Sequence, residues 1–289
     1  MVPSFAAMKL LRRVLLWVVV FAVVAYLGAI VYLVASETRL VFAAVTTLGD
    51  RRPAQPFEQL DRAAGDTGEP PYARAWLLPA AGAAGDAPWV IFLHGNDSNV
   101  GSRLNIFHCE QLRALGLNVI APEYRGFGGV GGAPTEAGLA EDARRWYDYV
   151  RTDRHVDARR IVIYGWSLGS GVAVNLASHV EEGAVVLEGA PASLVAIGQQ
   201  RYPIFPIRLL IRNPFESILK IGAVHAPILF LHSPEDVIIP IGEGRRLFDA
   251  APAPKQFVEV SGGHVYASEK DPRFFPTVQA FLRAQQLLP

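Results

Sequence analysis

Ser167 stands at the centre of Gly165-Trp166-Ser167-Leu168-Gly169, directly behind the apolar run Ile161-Val162-Ile163-Tyr164 and ahead of Val172-Ala173-Val174-Asn175-Leu176-Ala177. A G-x-S-x-G segment between a strand and a helix suits a sharp turn that holds a serine hydroxyl out on a corner. Gly165 and Gly169 remove the side chains that such a tight fold would otherwise crowd. Ser167 therefore reads as a candidate nucleophile, the competing reading being a serine that caps the following helix. The chemical reading needs a base, an acid and an oxyanion site in compatible places.

His264 follows the run Phe257-Val258-Glu259-Val260 in Ser261-Gly262-Gly263-His264 and is the last histidine of the chain. Glycines ahead of a loop histidine let the backbone aim the imidazole. An acid between Ser167 and His264 would fix the tautomer and stabilise the imidazolium formed when serine loses its proton. Asp236, in the turn-rich segment His232-Ser233-Pro234-Glu235-Asp236 after Ile228-Leu229-Phe230-Leu231, is best placed; Glu235 and Glu188 are the rivals. An oxyanion needs two fixed amide donors. Leu168 supplies one at its helix start, and Asn96 of His94-Gly95-Asn96, after the run Trp89 to Leu93, supplies the other.

The elements that must position these residues alternate. Short apolar runs at Ala75–Leu78, Trp89–Leu93, Val119–Ala121, Ile161–Tyr164, Ala184–Leu187, Ile228–Leu231 and Phe257–Val260 read as strands. Helix-length segments fall between them at Arg103–Leu115, Thr135–Arg151, Leu168–Val180, Gly242–Ala250 and Asp271–Leu288. This rhythm predicts an α/β fold with a mostly parallel sheet covered on both faces, its ligand site beyond the carboxyl ends of the strands. Pro191–Val224 breaks the rhythm, too long for a connection and too apolar for a solvated loop, and reads as a small lid-like insertion.

The 289 residues carry 27 basic and 27 acidic side chains, interspersed, which leaves no basic stripe for nucleic acid. A single cysteine, Cys109, excludes an intrachain disulfide and, among Ile106, Phe107 and Leu112, reads as a small buried residue. No metal or cofactor is expected, and nothing in the pattern specifies an oligomer. Val14–Ser36 carries no charge and as a helix spans ~34 Å, enough for a bilayer. Its length favours an uncleaved anchor over a signal peptide, whose apolar core is usually about 7–15 residues. The expected organisation is a tail at 1–13, an anchor at 14–36, a tether at 37–71 and a catalytic domain at 72–289 with its insertion at 191–224. Lys9, Arg12 and Arg13 before the span face Arg39, Arg51 and Arg52 after it, the latter partly offset by Glu37 and Asp50, a modest bias that favours a bacterial inner-membrane protein with its domain in the periplasm.

The chain resembles the α/β-hydrolase superfamily, and within it the membrane-anchored bud-emergence-type branch. The resemblance runs from about Leu40 to the carboxyl terminus. It rests on FLHGNDSNVGSR from Phe92, EYRGFGG from Glu123, PTEAGLAEDA from Pro134, YGWSLGSG from Tyr164, YPIFPIRLL from Tyr202, HSPEDVIIP from His232 and SGGH from Ser261. It implies Ser167 as nucleophile, Asp236 as acid, His264 as base, and the amides of Asn96 and Leu168 as the oxyanion hole. Three positions depart from the family pattern: Ser233 replaces a glycine, Asp97 a small neutral residue, and Val265 an asparagine. Asn96-Asp97-Ser98 also fits a glycosylation sequon, and a glycan there would obstruct the oxyanion site, which again favours a bacterial setting.

The activity implied is a membrane-anchored serine hydrolase acting through an acyl-enzyme on carboxylic esters, lipid-like or acylated ones given the anchor and the apolar insertion. A serine peptidase or amidase on the same fold, and a membrane-tethered binding protein without turnover, are the alternatives.

Overall fold

The computed structural model describes residues 5–62, 73–82 and 86–289. Among these, eight strands form one sheet in the order β1-β2-β4-β3-β5-β6-β7-β8. They are β1 (Glu58–Arg62), β2 (Ala73–Leu78), β3 (Trp89–Leu93), β4 (Asn118–Glu123), β5 (Ile161–Trp166), β6 (Ala184–Glu188), β7 (Ile228–His232) and β8 (Lys255–Glu259). Every pairing from β4 through β8 is parallel, while β1 and β2 complete one edge in antiparallel register.

The helices are α1 (Phe5–Phe42), α2 (Arg103–Ala114), α3 (Glu136–Asp148), α4 (Leu168–Ala177), α5 (Leu194–Arg201), α6 (Ile207–Leu210), α7 (Ile241–Ala250), α8 (Gly263–Lys270) and α9 (Phe274–Ala284). Alternation along the central strands builds two cores. Ile161 and Ile163 of β5 face one side with Leu139 and Trp146 of α3, Val172 of α4 and Leu247 of α7. Val162, Tyr164 and Trp166 face the other with Cys109 and Leu112 of α2 and Phe274, Val278 and Phe281 of α9. Cys109 is buried as expected.

Several boundaries differ from the sequence expectation, each for a physical reason. β1 falls inside the expected tether because Glu-Gln-Leu-Asp-Arg is polar on an edge strand, with Leu60 packed against the core. The helix expected at Thr135–Arg151 ends at Asp148 and continues as a wider turn at Tyr149–Asp153. The helix expected from Asp271 starts at Phe274 and is preceded by α8, which carries His264 in its first turn rather than in a loop. The rest of the expected tether, from 63 to 71, lies outside the described residues.

Helix α1 contains the whole apolar stretch Val14–Ser36 and extends beyond it at both ends. Its stretch Met8–Phe42 is long and apolar enough to cross a membrane. Its last turns are not free: Glu37 and Phe42 are buried, Phe42 meeting Phe215 edge-on at 6.0 Å between ring centroids. The insertion at 191–224 folds as α5, α6 and two short 3₁₀ turns, and packs against α1.

Candidate active site

Four connections leaving the carboxyl ends of β3, β5, β7 and β8 converge on one place. The first is the turn between β5 and α4. Ser167 takes φ +55° and ψ −120°, a conformation L side chains rarely adopt, at the point where the chain reverses from strand into helix. The turn closes only because its flanks are glycines. A Cβ on Gly165 would stand 2.5 Å from the carbonyl of Gly169, and one on Gly169 would collide with the carbonyl of Leu93. The amide of Ser167 donates to the carbonyl of Glu188 at 2.8 Å, and Ser170 Oγ donates to the carbonyls of Gly165 and Glu188.

Ser167 Oγ lies 2.7 Å from Nε2 of His264. Nδ1 of His264 lies 2.6 Å from Oδ2 of Asp236, whose side chain is 1% exposed. A carboxylate beside Nδ1 fixes the proton there, so Nδ1–H donates to Asp236 and Nε2 accepts from the serine hydroxyl. The other oxygen of Asp236 accepts the amides of Ile238 and Ile239 at 2.9 and 2.7 Å. Burial opposes the negative charge of Asp236. Hydrogen bonds from His232 and His264, the charge of His264 and the amide of Ile239 outweigh it and hold the carboxyl well below the usual carboxylate range.

The structure thus brings Ser167, His264 and Asp236 into one hydrogen-bonded row, and places the two rival acids elsewhere. Glu235 accepts the amide of Gly262 at 3.1 Å. Glu188 accepts Tyr164 Oη at 2.7 Å and lies 2.9 Å from Nε2 of His108. His108 is fully buried between the rings of Phe92 and Trp166. Burial works against its charge, but the Glu188 carboxylate and the carbonyl of Leu104 raise its pKa above the ordinary value.

His264 is aimed by an arrangement that the sequence reading missed. The three amides before it are each taken by a side chain: Ser261 by Asp271 at 2.9 Å, Gly262 by Glu235, and Gly263 by Ser233 Oγ at 3.0 Å. Gly262 and Gly263 have φ of +109° and +70°, which explains the glycine pair. The Ser233 departure from the family pattern therefore supplies a specific acceptor.

The turn after β3 approaches the serine closely, since a Cβ on Gly95 would stand 3.2 Å from that of Ser167. Among the described residues, no protein acceptor is paired with the amides of Asn96 or Leu168. The Asn96 side chain turns away and donates to the carbonyl of Val41 in α1 at 2.7 Å, while its Oδ1 is buried without a partner. That occupied side chain is not presented to solvent as a glycosylation site would be. Asp97, next to it, is exposed with φ +50°. Beneath this turn His94 bridges to Glu123 at 2.9 Å, and Glu123 in turn accepts the amide of Val100 at 3.0 Å.

A cavity of about 450 Å³ opens beside Ser167, within the ~300–1,000 Å³ usual for small-ligand sites. Ser167, Leu168 and Asn96 line it together with residues of α5 and α6 and with Leu33, Glu37, Leu40 and Val41 of α1. Among the described residues, no group of three or more His, Cys, Asp or Glu side chains is arranged to hold a metal ion.

A sequence profile described as Alpha/beta hydrolase family matches residues 90–286. The chain belongs to the alpha/beta hydrolase family. Among its relatives, an uncharacterised protein of Mycobacterium tuberculosis is 38% identical over 190 residues, 65% of this chain and 66% of that protein. The lysophosphatidylserine lipase ABHD12 of Danio rerio is 28% identical over 225 residues, 68% of this chain and 58% of the lipase. The chain therefore spans roughly three fifths to two thirds of the length of these curated relatives. Among solved structures, the esterase Pf2001 of Pyrococcus furiosus superposes with a TM-score of 0.68 at 20% identity, covering 83% of this chain and 98% of the esterase. At that identity the likeness speaks for the hydrolase fold.

Proposed function

We propose that this alpha/beta hydrolase is a membrane-anchored serine hydrolase that cleaves carboxylic esters of acyl chains through an acyl-enzyme, and that it belongs to the bud-emergence-type branch its motifs resemble. The single observation that carries the reading is the row Ser167 Oγ, His264 Nε2 and Nδ1, Asp236 Oδ2, with separations of 2.7 and 2.6 Å, on a turn held at positive φ.

The steps follow from that row. His264 Nε2 takes the hydroxyl proton as Ser167 Oγ attacks the ester carbonyl carbon, and Asp236 stabilises the imidazolium. The carbonyl oxygen, now an anion, receives the amides of Asn96 and Leu168, each such donor typically worth about 3–4 kcal/mol of barrier. Collapse breaks the bond to the alcohol, which leaves with the proton from Nε2 and gives the acyl-serine. Water, deprotonated by the same nitrogen, then attacks the acyl carbon, and the carboxylic acid departs as Ser167 regains its proton.

An ester of an apolar acyl chain fits better than a peptide. The cavity beside Ser167 is lined mostly by Leu, Ile and Val side chains, with Glu37, Arg201 and Tyr202 among them. Helix α1 supports the anchor. Lys9, Arg12 and Arg13 before the span are matched in number by Arg39, Arg51 and Arg52 after it, so the periplasmic orientation rests on the offset of the latter by Glu37 and Asp50. Labelling of the full chain with a fluorophosphonate tests the chemistry. Covalent modification at Ser167, lost in Ser167→Ala with thermal unfolding unchanged, is the expected result; failure to label while a known esterase reacts beside it overturns it.

A further inference from the structure

Resting on that reading, we infer that the tip of the insertion, from Pro203 to Leu209, is immersed in the lipid leaflet, and that the acyl pocket opens at the leaflet's boundary, so that substrate is taken from the membrane without leaving it. The argument begins with the reach of α1. Tyr26 follows Arg13 by 13 residues, or ~20 Å of helix, and follows Lys9 by 17, or ~26 Å. Both fall short of the ~30 Å of a bilayer's hydrocarbon core. With the basic residues held at one headgroup layer, Tyr26 lies inside the opposite leaflet.

The insertion meets α1 at that depth. Tyr26 Oη donates to the carbonyl of Ile204 at 3.0 Å, and the Tyr26 ring stacks on Phe205 with centroids 5.2 Å apart and planes 9° from parallel. In water the surface around this contact would be costly, because Ile204 is 70% and Leu209 83% exposed, with Pro203 and Pro206 exposed beside them. Arg201 just before the tip and Arg208 near its end are also exposed, Arg208 pairing with Glu216 at 2.8 Å, which suits long basic side chains that bury their stems and carry their charges back toward the headgroups. The occupant of this apolar surface is thus the bilayer already crossed by the helix against which it packs.

The pocket continues the same path. Leu33, the first α1 residue in its wall, is seven residues beyond Tyr26, ~10 Å farther along the axis, and Val41 lines the wall near Asn96 and Ser167. The mouth therefore sits where hydrocarbon gives way to headgroups, the level at which a membrane amphiphile carries its ester. The substrate class is accordingly an acyl ester of a bilayer lipid, drawn along α1 toward Ser167.

The test is depth-dependent quenching in the full chain, reconstituted into phosphatidylcholine–phosphatidylglycerol vesicles. Cys109 is buried and its thiol is pushed far up by that burial, so a single introduced cysteine takes the label. A nitrobenzoxadiazole fluorophore is attached at Ile204→Cys, at Leu209→Cys, at Val20→Cys within the span, and at Ala284→Cys at the end of α9. Lipids bearing nitroxides on their acyl chains should quench positions 204 and 209 to within about twofold of position 20 and leave 284 unaffected. Positions 204 and 209 behaving like 284 overturns immersion. Fluorophosphonate labelling in the same vesicles separates the two ideas: a labelled serine with an unquenched tip removes this inference alone, whereas a quenched tip with an unlabelled serine leaves immersion standing and removes the catalytic reading.

Discussion

Glu37, in the last turns of α1, accepts the backbone amides of Arg212 and Asn213 at 2.7 and 2.8 Å, which rivets the apolar helix to the far end of the insertion. The Arg212 guanidinium and the Asn213 amide side chain complete the set at 2.6 and 3.1 Å. One carboxylate thus satisfies the buried groups of Asn213 and pairs the Arg212 amide and guanidinium, and it does so in the lining of the cavity beside Ser167.

Replacing Glu37 with alanine should therefore loosen the cavity before it unfolds the sheet. Leaving the buried amide of Asn213 and the partly buried amide of Arg212 unpaired costs about 1–3 kcal/mol locally. Hydrogen exchange at Arg212 and Asn213 should quicken by about one to two orders of magnitude, while amides of β5 and β6 stay protected. Turnover of long-chain esters should fall more than that of acetyl esters, because only the long chain extends past Val41 to the part of the α1 wall that Glu37 holds. Equal losses on both would argue against the wall.

Asp236→Asn should preserve the fold and reduce kcat by about four orders of magnitude, the scale seen when such an acid is made neutral and the imidazole tautomer is no longer fixed. Stability gives an independent sign. The folded carboxyl is held below its ordinary value of 3.8, so its contribution is complete above that pH and is lost as pH falls through the lower folded value. Wild type should be more stable than Asp236→Asn at pH 7, and the gap should begin to close only below about pH 4. Paired thermal unfolding curves across that range check the direction.

Legibility in the sequence followed the range of the contacts. Ser167, Asp236 and His264 could be found because each sits just after an apolar run and two of them beside glycines, patterns that a short window of sequence contains. The parallel sheet could be read for the same reason, its central strands being buried on both faces. The rivet at Glu37 could not, since its partners lie 175 and 176 positions away and a lone glutamate after an apolar helix has no local signature. β1 was hidden by its polarity, and α8 by glycines that read as a loop while serving as a left-handed start to a helix.

Glu182 gives a pH dependence that has nothing to do with catalysis. It is buried at the loop before β6 with one oxygen unpaired, and burial, opposed by the amide of Ala226 and reinforced by Glu181, pushes its carboxyl up to about 8. Between its ordinary value of 4.5 and that figure the folded chain holds a proton that the unfolded chain has released, so stability falls as pH rises through this window. Glu182→Gln keeps the neutral shape and should flatten that part of the stability curve, gaining most over wild type near pH 8. A Tm difference that is the same at pH 5 and pH 8 would exclude the buried proton.

The clamp ahead of His264 can be probed at its one uncharged member, Ser233. Ser233→Gly restores the residue usual in the family and releases the two amides that Ser233 Oγ accepts, Gly263 at 3.0 Å and Glu235 at 3.2 Å. Asp271 and Glu235 still hold the two preceding amides, so the loop stays folded while the imidazole gains freedom. A hydrogen bond of this kind is worth about 1 kcal/mol, so kcat and the rate of fluorophosphonate labelling should each drop about fivefold. KM should hold, because the acyl cavity takes none of its wall from this loop. Ser233→Thr, which keeps an oxygen at the same place, should recover most of both rates; failure of that rescue would mean that Ser233 acts by filling space rather than by accepting the amide.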